Sequence, residues 1–429
     1  MDLIKNLFKT LQSIRNKRIV SLSIFLILFT SSGFSIIRIF SDIREPAFDF
    51  HSYWYAGHFI WRGEDPYRAA FENRKIASPL TYLDGVTLTT GETKQFDHFL
   101  PANTAPVVFL LAPFARFSWP TATLLWAICN CSLAFLLACF LSRLFKQSFC
   151  SFESVLTFFF LISLVATRDA IRFGQTTILI LTCMIASIVL VKKHPLLSGL
   201  LLGIALSKYS LSLPVFLFFG YKRWSFSLVI SIFVQIIGVL ALVLLCHTSV
   251  ASVSASYLQI MTMHLDMKAG TNLTNAFPNL ENLMRSFVFG GTIGIGSLFV
   301  YWKIHNPRQL NLSNSVSLAD LTLLNIGIIW DLLALYHRRY DDTAIILFLG
   351  LIIFCTKALS TPMNYQISTL ERKIIYAIVA ICCIFWLFPL VCIKFLGFDR
   401  CNELFVWGNL IALLLSIWLL FRTDSVKVA

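Results

Sequence analysis

What most constrains the fold is a recurring pattern of long, predominantly apolar runs at residues 19–37, 121–142, 152–167, 174–191, 225–246, 284–303, 316–335, 343–357, 374–395 and 402–421. A helix needs about 20 apolar residues to cross the hydrocarbon of a bilayer. Most of these runs approach that length, so the chain reads as an all-α polytopic integral membrane protein. A transmembrane barrel would show short alternating segments instead, and none is visible. The composition agrees: charged residues are 13% of the chain, about half the share in an ordinary soluble domain. The basic N-terminus (Lys5, Lys9, Arg15, Lys17, Arg18) precedes an apolar run too long for a signal-peptide core and without a small-residue cleavage site, so 19–37 reads as a retained anchor.

Two regions break the pattern. Residues 196–219 are two short apolar pieces interrupted by Lys208-Tyr209-Ser210, and 104–117 holds Pro106 and Pro113. Each piece is too short to cross alone, which gives roughly 11–13 hydrophobic segments in a single transmembrane domain, 1–429. With the N-terminus cytoplasmic, 196–219 dipping in and returning, and 104–117 held outside, the whole excess of +13 falls on the inner loops. That is the positive-inside rule. The basic balance then reports topology, and nucleic acid need not be a partner. The loop 38–120 becomes extracytoplasmic, followed by core spans over 121–246, a second outer loop at 247–283, and C-terminal spans over 284–429. The outer turns also include 168–173, 336–342 and 396–401. The cysteines lie mostly inside apolar runs with no CxxC pair, so they read as small buried hydrophobes, Cys401 near an interface being the main exception.

Four polar constellations fall on the outer side. In FDFHSYWYAGHFIWRGEDPY, residues 48–67, Asp49 precedes a helix on which Trp54, His58 and Trp61 share one face and Tyr53, Gly57 and Ile60 another. The bland reading is an interfacial aromatic belt; the functional one is a surface that stacks sugars or gates lipids. In RDAIRFGQTT, residues 168–177, Arg168 and Arg172 suit phosphate oxygens, or they pair with Asp169 and lipid headgroups. Lys208 inside so apolar a run points to a buried anion, a water-filled cavity or snorkelling, and the two truncated helices beside it favour a cavity. In WDLLALYHRRYDDTAI, residues 330–345, His337 can relay a proton and Arg338 and Arg339 can hold a phosphate. Asp341 and Asp342 are a weak pattern for a divalent cation, and mutual Arg–Asp pairing is an equal alternative.

These segments resemble glycosyltransferase family 87. The resemblance rests on Asp49-Phe50, Tyr53, Tyr55-Ala56-Gly57 and Gly63-x-x-Pro66-Tyr67. It continues in FGQTTILILT, where Thr177 stands in place of the family's Asn, and in SGLLLGIALSKYSLSLPVFLF with its Gly-x-x-x-Gly and lysine. A weaker match, GTNLTNAF at 270–277, brings in Asn272 and Asn275. The resemblance implies a glycosyltransferase-C type bundle acting on the extracytoplasmic face, and the short loops without a soluble domain suit a bacterial inner membrane. It implies a polyprenyl-phosphate sugar donor, commonly mannose, and a lipid or glycan acceptor, without metal or other cofactor. Asp49 would be the general base of an inverting transfer, with His337 orienting or sharing that role. Arg168, Arg172, Lys208 and Arg338 would neutralise the leaving phosphate, and Tyr53, Trp54, His58, Trp61, Gln175 and Asn272 would line the substrate site. A transporter or flippase of lipid-linked glycans is the rival class, since it too would use Lys208 and the outer arginines; the internal repeats it predicts are not evident.

Overall fold

The computed structural model describes residues 26, 28–37, 48–72, 101, 103–145, 147–265, 273, 281–305, 316–335, 339–358, 369–387 and 401–424. Every regular element among them is helical. In chain order they are α1 (Leu28–Ile37), α2 (Phe48–Trp61), α3 (Pro66–Phe71), α4 (Ala105–Leu111, continued by a 3-10 turn over Ala112–Arg116), α5 (Trp119–Leu144), α6 (Phe152–Ser163), α7 (Val165–Arg172), α8 (Thr177–Leu190), α9 (Pro195–Ala205), α10 (Tyr209–Tyr221) and α11 (Ser225–Leu245). There follow α12 (Val250–Leu265), α13 (Glu281–His305), α14 (Leu318–Ala334), a 3-10 segment over Arg339–Ile345, α15 (Ile346–Ala358), α16 (Thr369–Leu387) and α17 (Cys401–Asp424).

Five described stretches are long and apolar enough to cross a bilayer: Trp119–Leu144, Pro195–Tyr221, Ser225–Leu245, Asn282–Tyr301 and Leu404–Phe421. The pair α6 and α7 would add a crossing, but it bends by 71° at Leu164. The molecule is therefore a multi-pass membrane protein, with α11 and α13 turning apolar side chains such as Phe226, Phe233, Phe289 and Val300 outward. The central helix is α8, buried continuously from Thr177 to Ile188. At 14 residues it is only about 21 Å long. The run expected to cross at 174–191 is thus shorter than a full span, because Gly174 (φ +67°) ends the preceding turn in the left-handed region.

The segment Pro195–Tyr221 meets the length criterion yet is not a straight crossing. Gly199 packs against Ile230 and Gly203 against Val234, the same offset along α9 and α11, so these helices run parallel. Ser227 Oγ donates to the Pro195 carbonyl at 2.9 Å, placing the start of α11 beside the start of α9. The chain must reverse in between, and it does so at the 3-10 turn Leu206–Lys208. A straight helix of this length would instead set its two ends about 40 Å apart. The pair α9–α10 is a helical hairpin that enters and returns, with Lys208 at its tip. Gly199 and Gly203 permit the close approach, since a Cβ on Gly203 would lie 2.5 Å from Val234 Cβ.

The expected outer turn at 168–173 is instead mostly the helix α7, and residues 104–117 form a short braced element rather than a crossing. Trp61 Nε1 donates to the Ala112 carbonyl at 3.0 Å, and Pro106 packs on Gly238 of α11.

At the end of the hairpin away from Lys208, Lys222 Nζ contacts Asp320 Oδ2 at 2.9 Å, both side chains buried. Asp320 also receives the Ser317 N–H at 2.8 Å, closing the first turn of α14. Lys222→Met removes the cation and leaves that carboxylate buried, which costs about 3–5 kcal/mol of stability. The pair lies about 20 Å along α10 from Lys208. A lower thermal unfolding midpoint in detergent is expected, with transfer per folded molecule unchanged.

Candidate active site

One end of α8 gathers most of the polar residues singled out from the sequence. The first turn of α2 rests on the 168–177 segment: the Asp49 and Phe50 N–H groups both donate to the Phe173 carbonyl at 3.2 Å. Trp126 Nε1 donates to the neighbouring Gly174 carbonyl at 2.8 Å. Asp49 is half-buried there, and Tyr53, one helical turn on, is buried. The Tyr53 phenol lies in hydrogen-bonding reach of Thr176, and burial together with the Asp49 and Asp341 carboxylates pushes it well above the ordinary phenol range.

Lys208 at the hairpin tip reaches across to this turn. Its Nζ contacts Asp341 Oδ1 and donates to Thr177 Oγ1 at 2.9 Å, while Thr177 Oγ1 donates to the same Asp341 oxygen at 2.6 Å. The sequence favoured a water-filled cavity around Lys208; the structure answers its charge with an internal carboxylate instead. The two acids considered from sequence as an arginine or cation site are engaged here by other partners among the described residues. Asp341 takes Lys208, and Asp342 Oδ1 accepts from Asn409 Nδ2 at 2.8 Å. Asp341 is further favoured by lying at the N-terminus of α8, where the helix dipole stabilises negative charge.

The Gly63-x-x-Pro66-Tyr67 turn acts at a distance. Gly63 (φ +72°) reverses the chain, Asp65 Oδ1 caps α3 through the Tyr67 N–H at 3.0 Å, and Pro66 sits in the first turn. Tyr67 is thereby buried, and its hydroxyl donates to the Asn103 carbonyl at 2.9 Å. Asn103 Nδ2 then donates to Thr176 Oγ1 at 2.7 Å. The motif is a strut that holds the turn carrying Thr176 and Thr177.

Of the other residues singled out, Arg168 and Arg172 are partly buried on α7, Arg168 Nε being 3.9 Å from Asp169 Oδ1, and Gln175 is buried in the turn itself. Trp54, His58 and Trp61 are brought together, but against other helices. Trp54 Nε1 donates to the Phe117 carbonyl at 3.2 Å, His58 packs edge-on to Trp54, and the Arg116 guanidinium lies 4.0 Å over Trp61. Their packing fastens α2 to the 112–119 segment. His337, Arg338 and Asn272 lie outside the described residues. Asn103 carried no signal in the sequence, Thr177 entered only through the family resemblance and Asp341 only as half of a weak cation or arginine pair, although an unexplained lysine in an apolar run is itself a signal to look for a buried acid.

Residues 103–362 match glycosyltransferase family 87. The chain belongs to glycosyltransferase family 87. No curated protein and no solved structure matches it. The matched region of this family 87 member holds the 168–177 turn, the Lys208 hairpin and Asp341, whereas Asp49 and α2 precede it.

Beside Asp49, His51 is buried against Tyr55 and Trp119, with ring centroids 4.3 and 4.9 Å away. Burial, and secondarily the nearby His58, holds its imidazole down to about 3 from an ordinary 6.5. The unfolded chain takes up the proton first, so folding stability is complete above pH 6.5 and declines as pH falls toward 3. At pH 5 the cost is about 2 kcal/mol. The thermal midpoint of the wild type should drop between pH 8 and pH 5, and His51→Asn should flatten that slope.

Proposed function

We propose that this family 87 glycosyltransferase moves a hexose, mannose being the first candidate, from a polyprenyl-phosphate donor to a lipid-linked or glycan acceptor. The observation that carries the reading is the seating of the α2 N-terminus on the Phe173 carbonyl, which brings Asp49 to the C-terminal end of α7, the helix that bears Arg168 and Arg172. Asp49 is the general base: it takes the proton of the acceptor hydroxyl as that oxygen attacks the anomeric carbon from the face opposite the phosphate. The bond from the anomeric carbon to the phosphate oxygen breaks, and polyprenyl phosphate leaves with the electron pair. Arg168, Arg172 and Lys208 are the positive groups near that developing anion, with Arg338 a further candidate, and fixed charge of this kind is a large part of what such a site supplies. Asp341 is engaged by Lys208 and Thr177, which suits it to positioning. His337 would assist Asp49.

The orientation follows the charge. The pairing of α9 with α11 sets Lys192, Lys193, Lys222 and Arg223 at the end of the bundle away from Lys208. Putting that basic end in the cytoplasm leaves the site on the extracytoplasmic face of the inner membrane.

Membranes containing the protein, given radiolabelled polyprenyl-phosphate mannose and a crude lipid extract, are expected to move label to a new lipid or glycan product. Transfer from a nucleotide sugar but not from the polyprenyl phosphate would overturn the donor. A product of retained anomeric configuration would overturn the mechanism.

A further inference from the structure

The short connection between α5 and α6 brings together two cysteines that sequence spacing keeps apart. Cys139 is buried on α5, Cys150 is exposed immediately before the Ser151 cap of α6, and their sulfurs are 3.5 Å apart. Cys150 holds a left-handed backbone (φ 59°), which a non-glycine residue seldom adopts. It is fixed between the last turn of α5 and the capping box in which Ser151 and Ser154 bond reciprocally. Phe149 also packs on Phe140 with ring centroids 5.5 Å apart. The turn is thus clamped on both sides of Cys150, and the two thiols face each other across one closed loop.

We infer that Cys139 and Cys150 form a redox-active dithiol that closes to a disulfide when a low-molecular-weight disulfide oxidises it. The exposed Cys150 thiolate attacks one sulfur of the oxidant, giving a mixed disulfide and releasing the first small thiol. Cys139 then attacks Cys150 Sγ: the protein S–S bond forms, the mixed S–S bond breaks, and the Cys139 proton leaves with the second small thiol. Two protein thiols are oxidised and one small disulfide is reduced to two thiols. A geometry with the resolving sulfur already in contact makes the second step fast relative to release of the mixed disulfide. The remaining step is an approach from 3.5 Å to the bond length of about 2 Å.

Glutathione disulfide is the probe, applied to the full-length protein in detergent and followed by alkylation and peptide mass spectrometry. The wild type is expected to yield a linked Cys139–Cys150 peptide that dithiothreitol reverses. Cys139→Ser is expected to trap glutathione on Cys150, and Cys150→Ser to leave Cys139 reduced. Stable glutathionylation of Cys150 in the wild type without the linked peptide would overturn the inference. So would a linked peptide joining Cys150 to any other cysteine. Thermal midpoints of the two serine variants within a few degrees of the wild type ensure that the readout reports chemistry in the native fold.

Discussion

Asp49→Asn is expected to lower sugar transfer by about 10²–10⁴-fold, the usual contribution of a positioned general base, with the fold intact. The separation of these effects follows from the local structure. What seats α2 on the 168–177 turn is the backbone: the Asp49 and Phe50 N–H groups meet the Phe173 carbonyl, and Ser52 Oγ donates to the Asp49 carbonyl at 2.7 Å. Packing of Phe50 between Trp119 and Trp126 adds to that anchorage, at centroid distances of 5.9 and 5.5 Å. Asparagine keeps the size of the side chain and gives up the charge. It loses the favourable carboxylate in the first turn of α2, worth about 0.3–1 kcal/mol. The measurement is the initial transfer rate per folded molecule from labelled polyprenyl-phosphate sugar, with the thermal midpoint as control. Added formate should restore part of the rate to Asp49→Ala, because a small carboxylate can occupy the vacated position. Undiminished transfer by Asp49→Asn would remove Asp49 from the mechanism.

The membrane class, the helical content and the break at Lys208 were legible because hydrophobic length is a local property of the chain. The reversal at Lys208 was legible for the same reason: two apolar pieces flank a lysine, and each is too short to cross. The Lys208–Asp341 contact was not, since it joins residues 133 positions apart and the acid sits in a segment that reads equally well as a solvated turn. The aromatic face of α2 shows the opposite difficulty. Helical spacing put Trp54, His58 and Trp61 on one side, but spacing does not say what packs on that side; here it is the 112–119 segment, a short proline-bearing element that Trp54 and Trp61 tie down through the Phe117 and Ala112 carbonyls. Tyr67 illustrates a motif read by type alone. Its turn was visible, and its role as a strut to Thr176 required Asn103, which carries no signal of its own.

The second large effect is expected at Lys208 and Asp341, where stability and chemistry separate. Lys208→Met takes the ammonium away from the buried Asp341 carboxylate, which keeps the Thr177 hydroxyl, and Asp341→Asn leaves the ammonium facing an uncharged amide. Each single change should cost about 3–5 kcal/mol. The double variant removes both charges and keeps an acceptor for Thr177, so it should recover most of that loss; the non-additivity measures the pair. Transfer should not recover with it. The Lys208 side chain remains 12% exposed while Asp341 is 4% exposed, so the contact with solvent on this pair belongs mainly to the cation, the partner a phosphate needs. On the proposed role of Lys208 at the donor phosphate, losing its positive charge should hold the double variant about 10²–10³-fold below the wild type. Thermal midpoints and transfer rates of all four proteins in one detergent test both halves. A double variant that is stable and transfers at the wild-type rate would make the pair a structural brace for the hairpin tip, leaving Arg168 and Arg172 as the phosphate's partners. A double variant no more stable than either single one would mean that the two side chains are held by separate networks.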